Sequence, residues 1–192
     1  MKIMIRCNWA QCDRKMQQYH DEEWGVPQHN DQTLFEMLTL EGAQAGLSWK
    51  TILDRREGYR KAFKNFNVKL ISKFTSEDII RLMKNRNIIR NRLKIKSTIT
   101  NAKAFINVQR EFHSFDNYIW SFTNNKVIIN NFNKLDHVPA ETILSNEISK
   151  DLKKRGFTFV GPTITYAFMQ SIGIVNDHLD TCFFKKKEIE KF

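Results

Sequence analysis

Ile95, Ile99, Ala102 and Ile106 are spaced by four, three and four residues, and Ile164, Phe168, Ile172 and Val175 by four, four and three. That is the repeat of one face of an α-helix, not the alternation of a half-buried strand. Start signals agree with it. Asp31 is placed to cap a helix running towards Ala45, and Ser48 one running towards Phe63. Thr75 with Asp78 reads as a capping box before Ile79-Ile80-Arg81-Leu82. Only Lys126-Val127-Ile128-Ile129 reads as a strand. Internal repeats and Pro/Gly-rich linkers are absent, and 192 residues fit a single unit. The expectation is an all-α fold forming one compact unit over residues 1–192.

The chain carries 31 Lys plus Arg against 21 Asp plus Glu, a formal charge of +10. Between Asp78 and Glu111 lie nine Lys or Arg residues, from Arg81 through Arg110, and no carboxylate. A basic run is often only a solvated helix face. Together with the overall charge it points to a polyanion such as nucleic acid. A membrane partner is not expected, because no strongly amphipathic terminal helix accompanies the charge and no apolar run approaches the roughly 18 residues a bilayer crossing needs. The start, Met1-Lys2-Ile3-Met4-Ile5-Arg6, has no signal-peptide block. A cytoplasmic protein is expected, with Cys7, Cys12 and Cys182 kept as thiols.

Four residues of metal-ligating type sit in two pairs, Cys7 with His20 and His178 with Cys182. The second pair is four apart, hence on one face if helical, and thiolates with imidazoles suit tetrahedral zinc. Cys12 competes with Cys7, and plain burial of unligated cysteine is the ordinary alternative. Four protein ligands would make a closed, structural site.

Continuing the stripe Leu34, Leu38 by three and then four residues reaches Glu41 and Ala45, which puts a carboxylate on an apolar face. Most such carboxylates pair with an arginine or a cap; one facing a pocket is a site candidate, since an unpaired buried charge is costly. Trp9, Tyr19, Trp24 and Trp49 stand beside the metal-type residues or just after Glu41. Aromatics usually mean core, but rings around one carboxylate suit a flat cationic heterocycle such as an alkylated nucleobase.

In Leu152-Lys153-Lys154-Arg155-Gly156-Phe157-Thr158-Phe159-Val160-Gly161-Pro162-Thr163, a basic helix end leads through two glycines to a helix opening on Pro162. Free amides there, with Lys153, Lys154 and Arg155 close by and Gly156 and Gly161 allowing close approach, would suit a DNA phosphate. An ordinary helix connection with solvated lysines is the plainer reading.

These residues resemble the bacterial DNA-3-methyladenine glycosylase I family nearly end to end. The carrying motifs are Arg6-Cys7-Asn8-Trp9, Tyr19-His20-Asp21-Glu22-Glu23-Trp24-Gly25, Leu40-Glu41-Gly42-Ala43-Gln44-Ala45-Gly46-Leu47-Ser48-Trp49, the hairpin at about 153–163, and Asn176-Asp177-His178 with Cys182. The resemblance implies a helix-hairpin-helix fold with a structural zinc held by Cys7, His20, His178 and Cys182. It also implies that Glu41 hydrogen-bonds the excised base while Tyr19 and Trp49 stack on it and Trp9 and Trp24 complete the wall. The family has a tyrosine where this chain has Met16, which would leave one wall softer, and Asn8 replaces a usual glycine.

A base inside duplex DNA must be flipped out to be cut. Leu47, in the small-residue loop before Trp49, is the candidate to fill the gap, its alternative being a core leucine. The implied reaction is hydrolytic excision of 3-methyladenine from double-stranded alkylated DNA by a monomer, leaving an abasic site without lyase activity. Many members of the superfamily use an aspartate downstream of the hairpin, but the resemblance implies that this family lacks it in that role; Asp177 is the residue at issue, with capping a helix or orienting His178 as its alternatives. The competing readings are a non-catalytic zinc-stabilised nucleic-acid-binding module and a free-purine sensor.

Overall fold

The computed structural model describes residues 4–185. Its α-helices are α1 (Arg14–Glu22), α2 (Asp31–Gln44), α3 (Trp49–Leu53), α4 (Arg56–Ala62), α5 (Val68–Ile71), α6 (Ser76–Met83), α7 (Arg92–Phe112), α8 (Phe115–Ser121), α9 (Ile143–Lys154) and α10 (Pro162–Ser171). Two short strands, β1 (Ile128–Ile129) and β2 (Val175–Asn176), pair in parallel, with Ile128 opposite Val175. The protein is therefore mostly helical, with one minimal sheet. None of the helices is long and apolar enough to cross a membrane among the described residues.

At the centre lies α2, buried at every position from Leu34 to Ala43. A helix with no polar face must be surrounded, and α10, α7, α3 and α8 all pack on it. Gly42 makes the closest approach possible. A Cβ there would lie 3.4 Å from both the Cβ and the carbonyl oxygen of Phe159, in the turn between α9 and α10. That turn is tied from two sides. Asn101 on α7 donates to Thr158 O at 2.9 Å and accepts from Thr158 N at 2.8 Å, while Ser149 Oγ donates to Val160 O at 2.6 Å. The site-bearing helix and the hairpin are thus one packed unit.

The capping box at Thr75 and Asp78 forms as the sequence indicates, and Ser48 Oγ accepts from Thr51 N at the start of α3. Three expectations need correction. The helix begun at Ser48 does not run to Phe63: it ends at Leu53 and restarts as α4 at Arg56. Arg56 is buried there between Glu36 (2.6 Å) and Glu23 (2.7 Å), so a cation within α4 is turned inward to join two carboxylates. The stripe ending at Val175 is helical only to Ser171. Gly173, at φ +72°, turns the chain so that Val175 enters β2.

Asp31 is the third correction, because Asn30 caps α2 through Thr33 N at 3.1 Å. The Asp31 carboxylate instead caps a different helix. It accepts from Phe115 N at 3.0 Å and Asp116 N at 2.9 Å, the first amides of α8, and from Gln109 Nε2 at 2.7 Å. One carboxylate therefore fastens α2 to α7 and α8. Asp31→Ala is expected to lower stability by about 1–3 kcal/mol, since it orphans two helix-terminal amides. Urea unfolding with the slope unchanged and the midpoint lowered would show it; an unshifted midpoint would not fit.

Candidate active site and metal cluster

The N-terminal turn at Asn8–Cys12 and α1 bring the first pair of metal-type residues against the second. Cys7, His20, His178 and Cys182 are all buried, and their donor atoms lie within 4.8 Å of one another. Cys182 Sγ is 3.5 Å from His178 Nδ1 and 3.6 Å from His20 Nε2, and Cys7 Sγ is 3.8 Å from His178 Nδ1. Donors on a tetrahedral metal with bonds of about 2.0–2.3 Å stand about 3.5 Å apart. The group therefore fits a metal ion.

Each imidazole is also oriented from behind. The His178 Nε2–H donates to Trp24 O at 3.0 Å, and the His20 Nδ1–H to Asp21 Oδ1 at 2.8 Å, so each bare nitrogen faces the sulfurs. Burial pushes the Asp21 carboxyl up, but hydrogen bonds from Arg6, at 2.7 Å, and His20 hold it below its ordinary value. Hydrogen bonding between the two sulfurs favours the Cys182 thiolate and pushes the Cys7 thiol up. The side chain of Cys12 lies outside the described residues.

The rings rest directly on this cluster. Trp9 packs edge-on against His20 (5.2 Å between centroids) and Trp24 (5.0 Å), Trp24 against His178 (4.8 Å), and Tyr19 lies 5.1 Å from Trp49. On their other side is a cleft of about 420 Å³, within the usual range for small-molecule sites. Trp9, Tyr19, Trp24, Trp49 and Glu41 all line it. The structure thus brings together the carboxylate and all four aromatics singled out from the sequence. The indole Nε1 of Trp49 is buried without a hydrogen-bond partner among the described residues.

Glu41 is 4% exposed. Burial pushes its carboxyl up to about 8, and the Ser171 hydroxyl offsets this only in part. Without a charged guest the neutral form of Glu41 is therefore favoured at neutral pH. A cationic guest would reverse that, because a positive charge at contact favours the ionised carboxylate.

The cleft also contains residues the sequence reading missed. Tyr166 and Gln170 stand four apart on α10 and line it, as do Gln44, Thr163, Ala167, Leu135 and the run Val138-Pro139-Ala140. The four-residue spacing of Tyr166 and Gln170 was a usable signal, hidden inside an apolar helix. Asp177 lies behind them, 1% exposed, accepting from Tyr166 OH (2.6 Å), Gln170 Nε2 (2.8 Å) and Asn130 Nδ2 (2.7 Å). It braces two cleft residues. Met16 is buried in the core beside Tyr19 and is not among the described residues lining the cleft.

Leu47 is 39% exposed, so it is a surface and not a core leucine. Lys153, Lys154 and Gly156 are exposed, and a Cβ at Gly156 or Gly161 would meet nothing within 4 Å. Arg155 differs from its neighbours. It pairs with Asp151 at 2.6 Å and Glu111 at 2.7 Å and stacks over Phe112, so it braces the end of α9.

Comparison with known proteins narrows what such a cleft is for. The sequence pattern of the family described as methyladenine glycosylase matches residues 9–186. The DNA-3-methyladenine glycosylase of Haemophilus influenzae is 48% identical over 180 residues, 94% of this chain and 97% of the relative. The DNA-3-methyladenine glycosylase 1 of Escherichia coli is 45% identical over 179 residues, 93% and 96% of the two chains. A solved structure of the 3-methyladenine DNA glycosylase I of Staphylococcus aureus, described for its recognition of 3-methyladenine, superposes with a TM-score of 0.91 at 33% identity, covering 95% of this chain and 97% of that one. These likenesses place the protein among the DNA glycosylases, hydrolases of N-glycosyl bonds. Within that class, the chain belongs to the methyladenine glycosylase family.

The raised Glu41 carboxyl has a stability consequence. Between pH 4.5, its ordinary value, and about 8, the folded chain holds a proton that the unfolded chain has lost. Stability therefore falls as pH rises through that window, by up to about 1.4 kcal/mol per unit. Glu41→Gln, which cannot ionise, is expected to be more stable than the parent above pH 4.5, by a margin that grows until about pH 8. Melting curves of the two proteins at pH 5 and pH 8 test this; an equal margin at both would show Glu41 to be ionised in the fold.

Proposed function

We propose that this protein excises 3-methyladenine from double-stranded alkylated DNA by flipping the nucleotide and hydrolysing its glycosidic bond, leaving an abasic site without strand cleavage. The observation that carries this is Glu41, buried and without a cationic partner among the described residues, in a cleft walled by Trp9, Tyr19, Trp24 and Trp49. Methylation at N3 makes the base a cation with an already weakened glycosidic bond. Rings attract a flat cation through their faces, and Glu41 accepts from its donor edge. Water adds to the sugar carbon as the bond to the base breaks, the bonding electron pair neutralises the departing ring, and the proton lost by the added water passes to solvent. Strong acid catalysis is not needed, so recognition supplies most of the rate.

Flipping costs a few kcal/mol, which contacts to DNA must supply. In this reading Lys153, Lys154 and the open backbone at Gly156 and Gly161 belong to a helix-hairpin-helix element that holds DNA phosphates, with Arg155 bracing it, and Leu47 enters the gap. Eight of the nine cations between Arg81 and Arg110 are exposed and suit the same partner. A zinc ion would be held by Cys7, His20, His178 and Cys182. With all four positions taken by protein donors it would be structural, and the role of these four residues is to fix the wall that carries Trp9, Tyr19 and Trp24. The protein acts as one unit and as a monomer in the cytoplasm.

Chromatography of base released from methylated duplex DNA tests the reading. Free 3-methyladenine, little 7-methylguanine and no borohydride-trapped adduct are expected. Binding without release would favour a nucleic-acid-binding module. Glu41→Gln is expected to lower excision at least about a hundredfold while binding undamaged DNA as the parent does; equal activity would remove Glu41 from the mechanism. Because the carboxyl must lose its proton to meet a cation, kcat/KM is expected to climb with pH and level off near 8. Elemental analysis should find one zinc per chain, and Cys182→Ala should lose both the metal and affinity for free 3-methyladenine.

A further inference from the structure

Of the nine cations between Arg81 and Arg110, only Lys94 is not exposed. It sits in the first turn of α7, and its ammonium donates to Ala43 O at 2.8 Å and Ala45 O at 2.6 Å. These carbonyls close the C-terminal end of α2, where the helix dipole is negative and intrahelical donors have run out. No carboxylate among the described residues helps to hold the charge, and burial pulls the Lys94 amine below its ordinary value. A cation on this helix would be more cheaply placed in water, as its eight neighbours are.

The two carbonyls are not at an arbitrary place. Ala43 stands two residues after Glu41, and Ala45 two residues before Leu47. Between them the chain leaves α2, passes Gly46 at φ +76°, and returns Leu47 N to Gln44 O at 2.6 Å before Ser48 starts α3 and Trp49. One ammonium therefore spans the exit from the helix bearing the cleft carboxylate into the loop bearing the exposed leucine.

We propose that Lys94 is a positioning residue that holds the Gly46–Leu47–Ser48 loop at a fixed height over the cleft, so that Leu47 fills the gap in the duplex as the base reaches Glu41. The inference rests on the flipping reading above. It assigns Lys94 to the loop and not to phosphate, which separates it from the other cations of the stretch.

A double-mutant comparison tests it, using methylated duplex for excision and free 3-methyladenine for cleft binding, read by tryptophan fluorescence. Lys94→Met is expected to bind the free base within about twofold of the parent and to lose about tenfold or more in kcat/KM on duplex. In a Leu47→Gly background the same change should cost less than about twofold, because the side chain it positions is gone. Independent losses that multiply in the double variant, an equal loss of free-base affinity, or unchanged duplex activity would each overturn the assignment. If the parent releases no base from duplex, the flipping reading falls and this one with it. Should the methionine variant not fold, Lys94→Gln, whose amide is uncharged and one atom shorter in reach than the ammonium, carries the same comparison.

Discussion

Two thiols and two imidazoles within 4.8 Å of one another are what the cleft depends on. Burying four such groups is costly unless they bind something in common. Here the benefit is local to the ring wall. Trp24 lends its carbonyl to His178, Trp9 lies across His20, and Tyr19 precedes His20 on α1. The aromatic wall and the metal-type cluster are two sides of one layer. Loosening the cluster would not leave a weaker cleft but a cleft without one side.

Across from that layer stands α2, and the structure treats its two inward carboxylates in opposite ways. Glu36 is met by Arg56 and Arg60 at 2.6 and 2.9 Å, an ion pair that fixes α4. Glu41, five residues on, is given no cation among the described residues. The same helix therefore holds one carboxylate whose charge is satisfied within the protein and one whose charge waits for a guest. Perturbed carboxylates of the second kind mark sites more often than structure.

Much of this was legible in the sequence, because it is encoded in local spacing. The helices follow from the three-and-four repeat, the Ser48 and Thr75 caps from side-chain chemistry, and Glu41 from its place in an apolar stripe. What was not legible depends on residues distant in the chain. Asp31 has the chemistry of a cap, but which helix it caps is set by how α7 and α8 return to it. β2 is two residues long, so its apolar Val175 reads equally well as helix until Gly173 and the partner Ile128 are in place. Tyr166 and Gln170 look like ordinary positions of an apolar helix until α10 is laid beside the aromatic layer. Lys94 is one lysine in a basic run until the end of α2 is found beneath it.

The cluster joins residues that are 162 positions apart, His20 and Cys182. A chain made from its N-terminus therefore exposes Trp9, Tyr19 and Trp24 long before their backing exists. Contacts of this sequence separation close late, since loop entropy must be overcome before they reward it. The aromatic layer is then the last part of the fold to become solid as the chain leaves the ribosome. A product cut short before His178 would carry a sticky ring surface in place of a cleft, a ready target for quality control.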